Sequence, residues 1–190
     1  MAQEDKERWN KKYQNNPIPD TPIQLLTQYA HLANKGKALD IACGMGRHSR
    51  YLASLGFEVD ALDISSVAIH SLKESPNITP KEVDFDTYRL PADSYNLIFC
   101  SYFLKRELFP QIIDAMQEDA ILIYETFLYH PDNDNAPSNR SFLLEQGELK
   151  KSFESCEIIH YSEYWSEDMK GDRSMKASLV ARRLMKEKTT

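Results

Sequence analysis

Two carboxylates bracket a pair of glycines between residues 40 and 63, and this spacing is typical of a ligand-binding turn. The four residues are Asp40, Gly44, Gly46 and Asp63. The glycines allow a tight turn and let a ligand approach the bare backbone. A carboxylate roughly 20 residues beyond such a turn is placed to accept hydrogen bonds from ribose hydroxyls. The pattern therefore predicts a site for a cofactor that contains adenosine.

The elements that must position these residues form one strand, turn, helix and strand unit. Residues 38–42 are a short apolar run bounded by turn signals, which predicts a buried strand. From residue 47 to residue 55 the apolar residues recur with helical spacing, and Gly56 is placed to end that helix. Residues 57–62 are a second apolar run with Asp63 at its carboxyl end. In a parallel sheet, the crevice beyond the carboxyl ends of such strands binds ligands.

The third position of the glycine pattern distinguishes between cofactors. A dinucleotide-binding turn has a third glycine where this chain has Ser49, and Asp40 stands four residues before Gly44. The pattern Asp-x-x-x-Gly-x-Gly resembles motif I of the class I S-adenosylmethionine-dependent methyltransferases. In that family the acidic residue helps to orient the glycine loop and the amino acid end of the cofactor. No third glycine is required there, because S-adenosylmethionine has no pyrophosphate.

The resemblance implies S-adenosyl-L-methionine as the cofactor, with contacts along the strand ends and an N-terminal helix. The implied cofactor-binding residues are Trp9, Tyr13, Asp40, Ala42, Cys43, Gly44, Gly46, Arg47, Asp63, Ile64, Asp84, Phe85 and Cys100. Trp9 and Tyr13 share one face of a predicted helix over residues 5–14, where they either cover the cofactor or anchor the helix to the domain. Asp84 could accept from the adenine amino group while Phe85 packs on the ring, and the alternative is a solvated turn rich in aspartate.

Length and composition limit the possible classes of protein. The 190 residues predict one domain, with an N-terminal helical cap over residues 1–36 and an α/β core over residues 37–190. The net charge of −6 does not favour binding to the negatively charged backbone of a nucleic acid. No apolar run approaches the length of a membrane span, and the first residues lack the apolar core of a signal peptide. The three cysteines show no metal-binding spacing, so we expect no metal site and a cytoplasmic location.

The rest of the chain continues the alternation of strands and helices. Further strands are predicted over residues 81–85, 95–100, 120–125, 156–164 and 174–183. Helices are indicated by a capping box at 21–24 and by apolar faces over 66–72, 108–116 and 147–153. The last two strands have no helix between them, so they pair antiparallel or are separated in the sheet. With the resemblance, this predicts a doubly wound, mostly parallel seven-stranded sheet of order 3-2-1-4-5-7-6 with a C-terminal antiparallel hairpin.

Several stretches are similar to a short bacterial branch, the tellurite-resistance (TehB-like) methyltransferases. They are residues 103–110, 124–127, 142–144 and 147–149. Ala42 stands where such proteins often have glycine, a departure that could narrow the turn. Residues 117–119 replace the usual Pro-Gly-Gly turn before the fifth strand. The resemblance does not supply a substrate.

Candidate catalytic residues follow the predicted fourth and fifth strands. They are Tyr102, Glu125 and His130, any of which could accept a proton from a methyl acceptor or serve only as a pocket or loop residue. Residues 126–140 form a long polar loop, which favours a functional lid that closes over the acceptor site with Trp9 and Tyr13, and the alternative is a loop that docks a protein partner. The cations of Lys105, Arg106 and Arg140 could bind an anionic acceptor or form surface ion pairs, and surface ion pairs are favoured.

The sequence predicts a methyltransferase that transfers a methyl group in line to a small molecule, and two other functions stay open. Residues 101–106 lack the Asn/Asp-Pro-Pro-Tyr/Phe motif of base-amino methyltransferases, and Cys100 follows Phe99 instead of the proline of cytosine-C5 enzymes. A nicotinamide-dependent reductase is disfavoured by Ser49 and by the terminal hairpin. A non-catalytic protein that binds S-adenosylmethionine is the other alternative. The acceptor and the oligomeric state, monomer or dimer, stay open.

Overall fold

The computed structural model describes residues 2–15 and 20–184, and within them a seven-stranded sheet forms the centre of the fold. The strands are β1 (Lys37–Ile41), β2 (Glu58–Asp63), β3 (Ile78–Glu82), β4 (Tyr95–Ser101), β5 (Met116–Phe127), β6 (Glu157–Glu167) and β7 (Arg173–Arg182). Their order, β3-β2-β1-β4-β5-β7-β6, confirms the predicted order. Neighbouring strands pair in parallel except at β7, which runs antiparallel to both β5 and β6.

Helices cover both faces of this sheet. They are α1 (Ala2–Asn15), α2 (Gln24–Tyr29), α3 (Arg47–Ser54), α4 (Ser66–Leu72), α5 (Leu108–Ala115) and α6 (Glu148–Ser152). Successive side chains of β1 alternate between two buried clusters, with Leu39 and Ile41 in one and Ala38 in the other. Buried residues of α5 and α6 join the first cluster, and those of α2, α3 and α4 join the second. The strand ends that carry the predicted site therefore rest on a core packed from both sides.

The third strand differs from its predicted range of 81–85. The structure places β3 at Ile78–Glu82, where Pro80 pairs with Ala61 of β2. Pro80 precedes the predicted range and lacks a backbone N–H, but β3 is an edge strand, and an edge position tolerates such a residue. Asp84 and Phe85 therefore follow the strand and do not end it.

The start of α2 also differs from the prediction of a capping box at residues 21–24. The N-cap of α2 is Ile23, and no side chain caps the helix. The Ile23 N–H donates to Nε2 of buried His48 at 3.4 Å, and the Thr21 carbonyl accepts from Nη1 of Arg47 at 3.4 Å. The predicted capping box is therefore wrong, because residues of α3 and not a local cap hold this turn.

The segment predicted as a lid, residues 126–140, is held against the terminal hairpin. Its first two residues complete β5, and the remainder runs past the start of β7. The Asp134 N–H donates to the Arg173 carbonyl at 2.8 Å, and the Arg173 N–H donates to Oδ2 of Asp134 at 3.0 Å. The Met175 N–H donates to Oδ1 of Asn133 at 2.7 Å. Any opening of this loop must therefore break its bonds to β7.

Candidate active site

The turn after β1 has the backbone conformation that its glycines predict. Gly44 and Gly46 have φ angles of 53° and 80°, in the left-handed region. Ala42 also has a positive φ angle, of 54°. A residue with a side chain in this region costs roughly 1–2 kcal/mol. Ala42 therefore holds, under strain, a backbone conformation that a glycine adopts freely.

Asp63, at the end of β2, binds this glycine loop directly. Its Oδ2 accepts from the Gly44 N–H at 2.8 Å, and its Oδ1 accepts from the Ser65 N–H at 2.8 Å. Burial raises the pKa of the Asp63 carboxyl, and the bonds from Ser65 and Gly44 act in the opposite direction. A carboxylate has about four lone-pair positions, so both oxygens keep capacity for further donors. The residue predicted to meet a ribose also holds the loop against β2.

Asp40 and Ser49 form a buried pair behind the loop. Asp40 is 1% exposed, and its Oδ2 accepts from the Ser49 hydroxyl at 2.6 Å. Burial raises the pKa of Asp40 to about 7, and the charge of Asp63 adds to this, whereas the bonds from Ser49 and the charge of Arg47 lower it. The serine in the place of the third glycine therefore fixes the acidic residue of the motif.

Helix α1 covers the glycine loop with its aromatic face. A Cβ atom built on Gly44 would lie 2.9 Å from the Tyr13 hydroxyl. Trp9 stacks on Tyr13 with the ring centroids 5.5 Å apart. The pKa of the Tyr13 hydroxyl is raised by burial and then by the neighbouring Asp63. The structure thus brings both predicted aromatic residues to the predicted cofactor region.

Asn10 is a residue of this cover that the sequence alone did not reveal. Its Oδ1 accepts from the Ser65 hydroxyl at 2.6 Å and from the Val67 N–H at 3.3 Å. Its Nδ2 donates to the Ser66 hydroxyl at 3.1 Å. These bonds tie α1 to the start of α4, whose N-cap is Ser65. The available signal was an asparagine inside a predicted helix, where that residue is disfavoured.

A cavity of about 220 Å³ lies between α1 and the ends of β2 and β3. Its lining residues are Gln3, Lys6, Ile64, Glu82, Val83 and Asp84. Ile64 and Asp84 therefore lie beside a space at the end of the sheet. Phe85 is buried against Phe103, with ring centroids 5.3 Å apart, and is not a lining residue. The structure does not place it where an adenine ring would stack in this cavity.

The two predicted cysteines and Arg47 lie around the same turn. The Cys43 N–H donates to the Leu62 carbonyl at 2.9 Å, which links the turn to β2. Cys100 is fully buried in β4 and pairs with Ile41 of β1. Burial raises the pKa of both thiols, so both are neutral near pH 7. Arg47 begins α3 and is half-buried.

Four side chains at the ends of β4 to β7 form a connected polar group, here named the Tyr102 cluster: Tyr102, Glu125, Tyr164 and Lys176. Oε1 of buried Glu125 accepts from the Tyr102 hydroxyl at 3.1 Å, and Oε2 accepts from the Tyr164 hydroxyl at 2.7 Å. Nζ of Lys176 donates to the Tyr102 hydroxyl at 3.2 Å. The structure therefore brings the predicted Tyr102 and Glu125 together and adds two residues that the sequence alone did not reveal.

The backbone at Tyr102 directs its phenol over β5. Its φ angle is 55°, unusual for an aromatic residue, and its N–H donates to the Glu125 carbonyl at 2.9 Å. The ring packs against Phe127 with the centroids 5.5 Å apart. Backbone strain of this kind concentrates at functional sites. This turn at the end of β4 is therefore part of the candidate site.

His130 lies on the other face of the sheet from the Tyr102 cluster. Its ring packs on Trp165 with the centroids 4.8 Å apart, whereas Glu125 binds Tyr164. Trp165 and Tyr164 are consecutive in β6, and consecutive residues of a strand face opposite sides. The structure does not bring His130 to the other two predicted catalytic residues, because the loop after β5 carries it past the hairpin.

The three cations considered for an anionic acceptor each pair with a carboxylate. The pairs are Lys105 with Asp86, Arg106 with Glu148 and Arg140 with Glu145. This agrees with the favoured alternative of surface ion pairs. Arg106 does more than pair with one carboxylate, since its guanidinium also donates to the Ser141 carbonyl at 2.8 Å and to the Leu143 carbonyl at 2.9 Å.

The substitution Arg106→Gln is expected to expose the loop that ends near Ser141 to proteases. Hydrogen bonds to charged groups contribute roughly 1.5–3 kcal/mol, and the lower end applies to a guanidinium in part open to solvent. We therefore expect trypsin to cleave after Arg140 at least about tenfold faster than in the wild type. Arg182→Gln, which removes an ion pair with Glu157 on the sheet edge, is the matched control. Equal cleavage rates in Arg106→Gln and the wild type would contradict this role.

The fold and the site together define a class of protein. A glycine turn follows β1, a carboxylate ends β2, and β7 enters antiparallel between β5 and β6. This is the Rossmann-like fold of the class I methyltransferases.

Comparisons with known proteins agree with this class. The chain matches the family described as tellurite resistance protein TehB over residues 1–179. It is 30% identical over 177 residues to a probable S-adenosyl-L-methionine-dependent methyltransferase TehB of Haemophilus influenzae (strain 10810), covering 87% of this chain and 60% of that protein. It is 32% identical over 107 residues to a ubiquinone biosynthesis O-methyltransferase of Burkholderia vietnamiensis, covering 51% of this chain and 45% of that protein. The crystal structure of TehB from Haemophilus influenzae matches with a TM-score of 0.73 at 23% identity, covering 94% of this chain and 66% of that chain.

The chain belongs to the TehB family. It spans 60% of the length of the Haemophilus influenzae relative. In residues 2–15 and 20–184, no helix has both the length and the apolar character that crossing a membrane requires.

Proposed function

We propose that this protein is an S-adenosylmethionine-dependent methyltransferase that methylates a small molecule by in-line transfer. The observation that carries the proposal is the position of the Tyr102 cluster relative to the glycine loop. The loop follows β1 and Tyr102 follows β4, and these strands are neighbours that pair Ile41 with Cys100. Neighbouring strands lie about 4.8 Å apart, so a methyl donor on the loop is within reach of an acceptor at Tyr102.

The residues around the loop fit S-adenosyl-L-methionine. Asp63 would accept from the ribose hydroxyls, and Ile64 and Asp84, which line the cavity, would border the adenine. The loop amides would hold the amino acid end, and the charge of Asp40 behind the loop would favour its ammonium group. Gly44 leaves no side chain between the loop and the ligand. When bound, the cofactor supplies a methyl group on a sulfonium, so the protein's task is to position the acceptor and exclude water.

The aromatic surface beside the glycine loop and the net charge support a small acceptor. Helix α1 covers the glycine loop, and the three aromatic rings of Tyr102, Phe127 and Tyr164 lie at the end of the neighbouring strands. The net charge of −6 disfavours a nucleic-acid substrate. We place the reaction in the cytoplasm, since Cys43, Cys100 and Cys156 are free thiols.

The two alternative functions have less support. A nicotinamide cofactor needs the third glycine, but here the Ser49 hydroxyl binds Asp40. A protein that only binds S-adenosylmethionine has no need of a buried Glu125 held by two phenols. The relatives' names, tellurite resistance and O-methylation in ubiquinone biosynthesis, supply acceptor classes to test. Their activities remain proposals for a chain that spans 60% of the first relative and 45% of the second.

The function is tested by binding and turnover measured on the same preparation. Isothermal titration is expected to show binding of S-adenosylmethionine and S-adenosylhomocysteine and no binding of NADH. Formation of S-adenosylhomocysteine is then followed with tellurite, catechol and a simple thiol as acceptors. Binding without any turnover would favour the non-catalytic alternative, and binding of NADH alone would favour the reductase.

Affinity for S-adenosylhomocysteine is expected to rise with pH between about 6 and 8. The pKa of Asp40 is raised to about 7 by burial, and the ammonium group of the ligand favours the ionised carboxylate. The ionised fraction of a carboxyl with a pKa of about 7 grows about tenfold between pH 6 and pH 8. We therefore expect a gain in affinity of up to about tenfold. Titration calorimetry at three pH values measures it, and Asp40→Asn should remove the dependence. A pH dependence that persists in Asp40→Asn would contradict the assignment.

The same ionisation has the opposite effect on stability. Because the pKa of Asp40 is about 7 in the folded protein and 3.8 in the reference state, the folded protein binds more protons between these values. The contribution of Asp40 to the free energy of unfolding is therefore full below pH 3.8 and is lost as the pH rises toward 7. Thermal unfolding of the wild type and Asp40→Asn over this range separates the stability effect from the binding effect.

A further inference from the structure

The side chain of Lys176 reaches across the sheet toward the glycine loop. Lys176 belongs to β7, where it pairs with Phe127 of β5 and with Tyr164 of β6. Its Nζ nevertheless lies 3.2 Å from the hydroxyl of Tyr102, which follows β4. Since β5 separates β7 from β4, the amine extends over β5 toward the strand next to β1.

The other polar groups of the Tyr102 cluster are engaged with one another. Both oxygens of Glu125 accept from phenols, from Tyr102 at 3.1 Å and from Tyr164 at 2.7 Å. Burial raises the pKa of both phenols, and Glu125 adds to the shift, so both stay protonated near neutral pH. The Lys176 nitrogen makes one hydrogen bond to this cluster, to the Tyr102 hydroxyl. An amine nitrogen can make more than one, so it has room for a further partner.

The surroundings of Lys176 shift its pKa downward. Its Nζ lies 4.8 Å from the Tyr102 ring centroid and 5.9 Å from that of Phe127, which places the half-buried amine beside the rings at the ends of β4 and β5. Burial lowers the pKa of Lys176, Glu125 of β5 acts to raise it, and Arg47 of α3 acts to lower it, with a net direction downward. Tyr102 and Tyr164 face it as neutral phenols.

We propose that Lys176 is the general base of the reaction and that the acceptor carries an O–H or S–H proton. The inference rests on the proposed methyltransferase function. The acceptor oxygen or sulfur gives its proton to the Lys176 nitrogen as its electron pair forms the bond to the methyl carbon. The bond from that carbon to the sulfonium sulfur breaks, and its electrons stay on the sulfur. The products are the methylated acceptor, S-adenosylhomocysteine and a Lys176 ammonium, which loses its proton to solvent.

On this proposal Tyr102 and Glu125 are positioning residues. The Tyr102 hydroxyl donates its hydrogen bond to Glu125, so its oxygen is left to accept from Lys176. Tyr164 holds the second oxygen of Glu125. The chain of bonds holds Nζ of Lys176 at the end of β4.

The first test measures the pKa of Lys176 by NMR on protein labelled with ¹³C at the lysine Cε, with Lys176→Arg used to assign the signal. We expect a midpoint below the ordinary lysine value of about 10.4. Arg47→Gln should raise the midpoint, and Glu125→Gln should lower it. A midpoint at or above the ordinary value overturns the proposal, and this result does not depend on any acceptor.

The second test compares turnover of catechol and of a simple thiol by the wild type, Lys176→Met and Lys176→Arg. Arginine keeps the charge and the donors but does not accept a proton, so both variants should lose at least about 100-fold in kcat. Lys150→Arg, on α6, is the matched control. Wild-type turnover in Lys176→Arg, or no methylation of either acceptor by the wild type, overturns the proposal. Failure of the wild type to bind S-adenosylhomocysteine would instead overturn the proposed function.

Discussion

The substitution Gly44→Val is expected to abolish binding of S-adenosylhomocysteine in a protein that still folds. Gly44 has a φ angle of 53°, which a β-branched residue adopts only under strain. A Cβ atom there would lie 2.9 Å from the Tyr13 hydroxyl, the end of a side chain on the cover helix that can move. The valine would fill the space through which the ligand approaches the loop, and titration calorimetry should detect no binding.

Gly56→Val is the matched control for backbone strain. Gly56 has a φ angle of 92°, and a Cβ atom there would have no neighbour within 4 Å. We expect both variants to unfold at a lower temperature than the wild type, and only Gly44→Val to lose binding. Gly46 is unsuitable as a control because its Cβ would lie 2.4 Å from Leu72 in the core. Unchanged affinity in Gly44→Val would show that the loop is not the cofactor site.

The substitution Asp63→Ala is expected to weaken S-adenosylmethionine and S-adenosylhomocysteine equally. Both ligands carry the same ribose, and hydrogen bonds to a charged group contribute about 1.5–3 kcal/mol. This corresponds to a loss of roughly 10- to 100-fold in affinity, measured by titration with each ligand. The structure adds a second effect, because Asp63 also binds the N–H groups of Gly44 and Ser65, and their loss should lower the melting temperature.

Asp60→Ala provides the control on the same strand. Asp60 accepts from the Tyr95 hydroxyl at 2.9 Å, within β2 and three residues before its end. Its removal should lower stability and leave affinity unchanged. If Asp63→Ala lost affinity for only one of the two ligands, the proposed contact with the ribose would be excluded.

Most of the fold could be predicted because its signals are local. Each apolar run is bounded by turn residues, and the missing helix between the last two strands indicates the antiparallel hairpin. The limits of β3 could not be predicted in this way, because Pro80 is tolerated only through the edge position of that strand. The start of α2 depends likewise on His48, which is distant in sequence from Ile23.

The cofactor side of the site is encoded in one short unit. Asp40, Gly44 and Asp63 belong to a single strand, helix and strand, so their spacing is enough to predict that they meet. The hydrogen bond from Ser49 to Asp40 could not be predicted in this way. The sequence shows that the third glycine is absent, but not which partner the serine binds.

The acceptor side depends on strand register, which the sequence does not show. Tyr164 and Lys176 are opposite each other in β6 and β7, and this pairing places both near Glu125. Neither residue stands out by type or spacing. His130 was predicted to join the site and does not, because its position shortly after β5 does not indicate which face of the sheet the loop reaches.

A crystal structure of the protein with S-adenosylhomocysteine tests the central claim most directly. We expect the ribose hydroxyls within hydrogen-bond distance of Asp63 and the adenine beside Ile64 and Asp84. We expect the sulfur to face the Tyr102 cluster, with Nζ of Lys176 bordering the open space in front of it. A ligand bound away from the glycine loop, or one whose sulfur faces away from Tyr102 and Glu125, would contradict the assignment of this site to methyl transfer.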